Sequence, residues 1–135
     1  MGDIIKLIKV KSERDVDLNL YFDSGSPFTF VGIEAANRLG GMHKLSTPVP
    51  FSGIGDRQFS ATHIIHIEVK LLDIWCKHLA YVVPDEVIGS ENDILIGHDF
   101  MQRYDIMLDP KARDIILDRT ALLRAQMIRL VKWHI

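Results

Sequence analysis

The chain has 135 residues, of which 47% are apolar and 25% are charged, and its formal net charge is −2. This length suffices for one domain with a sizeable core, and the composition excludes a disordered chain. The small net charge excludes a general nucleic-acid binder, and the lack of any run of about 18 apolar residues excludes a transmembrane helix.

Short strands dominate the first half of the chain. Apolar and polar residues alternate there, which is typical of half-buried strands. For example, Leu18 and Leu20 alternate with Asp17, Asn19 and Tyr21. A glycine pair at Gly40 and Gly41 supplies a stop for one helical segment. The predicted elements, in order, are strands over residues 3–10, 16–22 and 28–31 and a helix over 33–39.

The second half is also β-rich. Long β-branched runs predict two strands, and a short apolar run ended by Gly97 predicts a buried strand. Residues 84–92 are predicted to form a loop. The predicted elements are strands over 59–72, 74–83 and 93–97, one or two helical turns over 98–103, and a hairpin of 104–108 and 114–117.

Residues 119–135 differ from the rest, because they contain four basic residues and no acid. Leu123, Met127, Leu130 and Val131 fall on one side of a helical wheel, which predicts a basic amphipathic C-terminal helix. This helix could pack on its own domain, form a dimer contact, or meet a membrane surface or nucleic acid. We therefore divide the chain into a domain over 1–118 and a helix or tail over 119–135.

Asp23-Ser24-Gly25 is the first candidate for chemistry. As an isolated tripeptide it is ordinary turn chemistry. Its place at the end of an apolar strand changes this interpretation, because a rigid strand would project the carboxylate while glycine lets other backbone come close. Ile94-Leu95-Ile96-Gly97 is a second apolar strand that runs into glycine, and the two segments make a faint internal repeat.

These motifs together resemble a known family. Asp23-Ser24-Gly25-Ser26 is similar to the active-site motif of aspartic proteases, and residues 94–100 (Ile-Leu-Ile-Gly-His-Asp-Phe) are similar to the apolar-apolar-Gly-Arg-Asp-Phe segment of retropepsins. Ser52-Gly53-Ile54-Gly55 lies where that family has its glycine-rich flap, and residues 104–109 resemble its closing strand. The resemblance covers residues 3–118 in the order and spacing of the family.

The resemblance implies an all-β fold: a closed retropepsin-like acid-protease barrel with one or two short helices besides the C-terminal helix. It implies an aspartic endopeptidase that acts as a homodimer on an extended peptide or unfolded protein, without a cofactor. Only one Asp-Ser-Gly motif is present, so two copies of the chain would each supply Asp23. The implied site residues are catalytic Asp23; supporting Ser24, Gly25 and Ser26; flap residues Phe51, Ser52, Gly53, Ile54 and Gly55; and second-motif residues Ile96, Gly97 and His98.

Two positions depart from the family pattern. His98 stands where retropepsins usually have arginine, and Pro27 stands where retroviral members often have the aspartate that pairs with it. Losing both partners of an ion pair costs less than losing one. Because the family's ion pair is nevertheless missing, a non-catalytic dimerisation or peptide-binding module is the alternative function. We also expect the Ser26 hydroxyl to donate a hydrogen bond to Asp23 and so to lower the pKa of its carboxyl.

Other clusters give weaker signals. Cys76 and His78 share a face of a predicted strand, but two ligands are too few for a structural zinc site, so we expect no metal. Gly53-Ile54-Gly55 lacks the lysine of a phosphate-binding loop. Cys76 is the only cysteine and the N-terminus lacks a signal-peptide pattern, so we expect no internal disulfide and a cytoplasmic location.

Overall fold

The computed structural model describes residues 3–52 and 58–127, and within them the chain forms nine strands and four short helices. The strands are β1 (Ile4–Lys11), β2 (Asp15–Phe22), β3 (Phe30–Gly32), β4 (Met42–Ser52), β5 (Gln58–Leu71), β6 (Ile74–Val83), β7 (Ile94–Ile96), β8 (Met107–Asp109) and β9 (Asp114–Ile116). The helices are α1 (Ile33–Leu39), α2 (Asp85–Ile88), α3 (His98–Arg103) and α4 (Arg119–Ala125).

Six strands close into a ring. Their order is β1-β2-β7-β3-β6-β5, and β1 pairs again with β5 through Val10 opposite Val69, while β4 adds to the outside of β5. The strands of a closed ring pair on both sides, which removes the exposed edges that an open sheet would present. The predicted closed, mostly β barrel is thereby confirmed.

The core lies inside this ring and follows the alternation read from the sequence. Leu18, Leu20 and Phe22 of β2 are buried, and the residues between them face outward or sit at the surface. Most buried side chains of β5, β6 and β7 join them in one cluster, together with Phe100 and Tyr104 at α3, whereas Ala61 and Val83 belong to a smaller second cluster. Because β2 and β7 are both anchored in this core, the turns that follow them have rigid supports.

The sequence did not predict two elements in the middle of the chain, the helix α2 and the strand β4. The stretch predicted as a loop contains α2, so three short helices accompany α4 instead of one or two. α2 has only four residues, which is too short for a helical period to show, although Pro84 and the acidic Asp85 suit a helix start. β4 contains Pro48 and Pro50, and as an edge strand it tolerates prolines that would disrupt a central strand.

The C-terminal helix packs on its own domain as far as it is described. The Asp118 side chain accepts hydrogen bonds from the N–H groups of Thr120 and Ala121 and so caps α4. Leu122 is fully buried in the main core, whereas Leu123 and Met127 are exposed. Leu130 and Val131 lie outside the described residues. Within the described ranges, no helix has the length and apolar character needed to cross a membrane.

Candidate active site

The turn that carries Asp23 is held between two parallel strands. β2 and β7 lie side by side with Phe22 opposite Ile96, and the N–H of Asp23 donates to the carbonyl of Ile96 at 2.9 Å. The N–H of Gly25 donates to Asp23 Oδ1 at 2.9 Å, and the N–H of Ser26 donates to the Asp23 carbonyl at 3.1 Å. The carboxylate is therefore fixed by its own turn while it stays half-buried.

The glycine of the second motif lies against this turn. A Cβ atom added to Gly97 would lie 2.2 Å from the carbonyl oxygen of Phe28 and 2.8 Å from that of Ser26. The next residue, His98, donates its N–H to the Ser26 carbonyl at 2.6 Å. Only glycine permits so close an approach of two backbones, so the two sequence motifs meet directly.

A buried polar network supports the turn from below. Thr29 is fully buried, and its hydroxyl donates to Asp99 Oδ1 at 2.7 Å and accepts the N–H of Gly97 at 3.1 Å. Asp99 Oδ2 accepts the N–H of Thr29 at 3.2 Å and lies 2.9 Å from Nε2 of His78 on β6. One carboxylate thus ties together the turn, α3 and β6.

The environment of Asp99 favours its ionised form. Burial opposes ionisation, but the hydrogen bonds from His78 and Thr29, the charge of His78 and the N–H of Phe100 together outweigh it and hold the pKa of Asp99 below its usual value. Because an ionised carboxylate can only accept, the His78 Nε2 atom carries the proton in this contact. The network is therefore a charge-assisted one.

Asp23 opens into a cleft of about 1060 Å³. Gly25, Ser26 and Pro27 line it beside the carboxylate. β4 and β5 form its opposite wall and α2 closes one side, with the lining residues Phe51, Ser52, Gln58, Phe59, Ser60, Pro84, Glu86, Val87 and Ile88. This volume is at the upper end of the range of about 300–1,000 Å³ that is usual for ligand-binding clefts.

Five aromatic rings pack together at this cleft. They are Phe28, Phe30, Phe51, Phe59 and Tyr81. Phe51 and Phe59 face each other across the β4–β5 pair and stack with ring centroids 5.4 Å apart, and Phe30 meets Phe51 edge to face at 5.1 Å. This cluster fixes the β4–β5 hairpin to the barrel and gives the cleft an apolar, aromatic wall.

Two solved structures are similar to this arrangement. One is the retroviral protease-like domain of Ddi1 from Leishmania major, with a TM-score of 0.62 and 17% identity over 88% of this chain and 90% of that one. The chain has a retropepsin-like fold. The other is the EIAV protease in complex with the inhibitor HBY-793, with a TM-score of 0.60 and 16% identity over 80% of this chain and 93% of that one. No protein-family model matches the sequence, and no curated protein matches it.

The retropepsin-like fold brings some of the candidate residues together and separates others. Asp23, Gly25, Ser26, Phe51 and Ser52 line the same cleft. Ser24 and His98 are exposed and line a second, smaller depression beside α3 and β8. Ile96 and Gly97 lie buried beneath the Asp23 turn. The flap residues Gly53, Ile54 and Gly55 lie outside the described residues.

The expected contact between Ser26 and Asp23 is wrong. The Ser26 hydroxyl donates to the carbonyl of Phe28 at 2.7 Å, so its single proton is not directed at the carboxylate. The backbone N–H of Gly25 donates to Asp23 Oδ1 instead. A backbone N–H rather than a side chain therefore supplies the hydrogen bond to the Asp23 carboxylate.

The sequence alone did not identify Thr29, His78 and Asp99 as a unit. Asp99 belongs to the second motif, but Thr29 has no sequence pattern of its own, and the sequence places His78 only on the same strand face as Cys76. On β6 both Cys76 and His78 face inward, and burial raises the pKa of the Cys76 thiol to about 11. No group of three metal-ligating side chains comes together among residues 3–52 and 58–127.

Proposed function

We propose that the protein is an aspartic endopeptidase that works as a symmetric homodimer. The observation that carries this proposal is the position of Asp23: a carboxylate held by the Gly25 N–H, lining an aromatic-walled cleft, in a fold shared with retroviral proteases. A lone buried thiol at Cys76 suits a reducing compartment, so we include a cytoplasmic location in the proposal.

The dimer follows from the number of catalytic groups. The 135 residues contain one Asp-Ser-Gly motif, whereas the proposed chemistry needs two aspartates. In a two-fold symmetric dimer a residue can meet its own copy, so the two Asp23 side chains would face each other on the axis. The exposed Ser24 next to Asp23 is free to reach across that axis and hold the pair in place.

The chemistry follows from the repulsion between the two carboxylates. At about 4 Å and an effective dielectric constant near 20, two negative charges repel by about 4 kcal/mol, or about three pKa units. The pair therefore holds one proton over a broad pH range. The ionised Asp23 takes a proton from a water molecule between them, and the protonated copy polarises the peptide carbonyl and later helps to protonate the leaving amine.

The test is cleavage of an unfolded protein by the purified chain between about pH 3 and 8, beside Asp23→Asn. Asp23→Asn keeps the size of the side chain but removes the ionisable group, so we expect cleavage to disappear while the circular dichroism spectrum and the sedimentation coefficient stay unchanged. A matched control is Asp17→Asn, since Asp17 is exposed on the same strand β2. Cleavage by Asp23→Asn at the wild-type rate would overturn the mechanism.

The second candidate function is a non-catalytic module that dimerises or binds peptides with the same cleft. The replacement of both members of the family's ion pair, at Pro27 and His98, favours it. The two candidates differ in one measurement. An inactive module would bind extended peptides equally well as the wild-type chain and as the Asp23→Asn variant, and neither form would cleave them at any pH.

A further inference from the structure

The ionisable groups that line the cleft are all acidic. Asp23 and Glu86, the latter on α2, both line it, and no lysine, arginine or histidine is among the described lining residues. The remaining wall is apolar or uncharged. The cleft therefore carries a negative field over an aromatic surface.

The two acids of α2 have different surroundings. Asp85 faces the barrel, where its Oδ1 accepts the N–H of Glu34 at 3.2 Å and lies close to Gly32. Glu86 is exposed, lines the cleft, and makes no ion pair or hydrogen bond with the described part of the chain. The Asp85 carboxylate thus makes a hydrogen bond within the fold, whereas the Glu86 carboxylate is available to a bound ligand.

We propose that Glu86 selects a lysine or arginine side chain in the bound peptide, next to the apolar side chain that packs on the aromatic wall. This rests on the proposed function, because it assigns the substrate class of the same cleft. A long basic side chain suits this position: its methylene groups can lie along Val87 and the aromatic wall while its charged end reaches Glu86.

The symmetry of the proposed dimer extends this selection. Two copies of Glu86 would flank the central pair of Asp23 side chains, one on each side. The preferred peptide would then have apolar residues around the bond that is cut and a basic residue on either side of them. Acidic peptides would be rejected, because like charges brought together in a cleft are unfavourable.

The experiment measures peptide binding separately from catalysis. Fluorescence anisotropy would follow the binding of labelled peptides to full-length Asp23→Asn protein, which cannot cleave them. The peptides share an apolar centre and carry lysine, glutamine or glutamate at each flanking position in turn. Since one solvent-accessible ion pair changes binding by about two- to fivefold, we expect one flanking position on each side of the apolar centre at which the lysine peptide binds tighter than the glutamine peptide by that factor.

Variants of Glu86 assign this preference to one side chain. Adding Glu86→Gln should abolish the preference for lysine, and Glu86→Lys should reverse it in favour of glutamate. Glu91→Gln is the matched control, because Glu91 is exposed and lies outside the cleft, and it should leave the preference unchanged. In about 1 M salt, where the screening length falls to about 3 Å, the wild-type preference should shrink.

The outcomes separate this inference from the proposed function. A lysine preference that survives Glu86→Gln, the lack of any preference, or the lack of peptide binding would overturn the role of Glu86. Cleavage by the wild-type chain is measured on the same peptides. If Glu86-dependent binding is found and no peptide is cleaved, the inference stands and the endopeptidase activity is overturned.

Discussion

Two glycines near Asp23 act on the site in different ways. Gly97 has no room for a side chain, because an added Cβ would lie 2.2 Å from a backbone oxygen, and the backbone there is held by the neighbouring hydrogen bonds. Gly25 has more space, because its added Cβ would meet only Asp23 Oδ1, at 3.2 Å. Gly97 is thus a requirement of the fold, whereas Gly25 affects the carboxylate itself.

Alanine at Gly97 should therefore lower mainly the stability of the fold, whereas alanine at Gly25 should lower mainly peptide cleavage. Gly97→Ala must push two backbones apart, so we expect a loss of about 1–3 kcal/mol in the free energy of unfolding, measured with denaturant. Gly25→Ala should change this free energy less but should lower peptide cleavage, because the methyl group crowds Asp23. Equal losses of stability in the two variants would contradict this distinction.

The residues that could be predicted from sequence are those with a local signature. Asp23 and Gly97 each follow an apolar strand, so their place at strand ends was readable from the chain. The hydrogen-bond partner of the Ser26 hydroxyl could not be predicted from the sequence, because it depends on the direction of a nearby backbone carbonyl. The contact of His78 with Asp99 joins residues from different elements, and no spacing rule connects them.

At the scale of elements, the site depends on how β2, β7, α3 and β6 are tied together. Asp99 receives hydrogen bonds from Thr29, His78 and its neighbour Phe100, so four donors converge on two oxygens. The sequence predicted these four elements nearly to their ends, because the three strands carry apolar patterns and α3 follows the glycine that ends β7. It missed α2 and the proline-containing β4, which form walls of the cleft and lack such a pattern.

Asp99→Asn tests this connection through pH. An amide offers one acceptor oxygen, so donors lose partners and we expect a loss of about 1–3 kcal/mol in unfolding free energy at neutral pH. The pKa of Asp99 is lowered in the folded protein, so its stabilisation is complete above the unfolded carboxyl value of about 3.9 and is lost as pH falls through the lower folded value.

The difference in stability between the wild-type protein and Asp99→Asn should therefore shrink in acid. Denaturant unfolding at a series of pH values from about 7 down to about 2 would measure it. Asp17→Asn serves as the control, because its carboxylate is exposed on β2. A difference that stays constant to the lowest pH would show that the ionised form of Asp99 is not what stabilises the fold.

At the scale of the whole molecule, the proposed activity requires two chains. Each chain supplies one Asp23, so activity per chain should fall when the protein is diluted below the dissociation constant of the dimer. The closed barrel was predicted only through the family resemblance that the motifs carry. The surface that would join two copies in the proposed dimer could not be predicted, because an apolar residue on a short helix can face either its own core or the outside, as Leu122 and Leu123 do.

We expect the C-terminal segment to strengthen the dimer through apolar side chains on the outer face of α4 and just after its end. Leu123 and Met127 are 49% and 69% exposed, although both are large and apolar. Burying them at a two-fold interface counts twice, so Leu123→Ser with Met127→Ser should raise the dimer dissociation constant at least about tenfold in sedimentation experiments. Leu122→Ala is the contrasting variant: Leu122 is in the core, so it should instead lower monomer stability by about 2–5 kcal/mol. An unchanged dissociation constant in the double variant would place the dimer contact elsewhere.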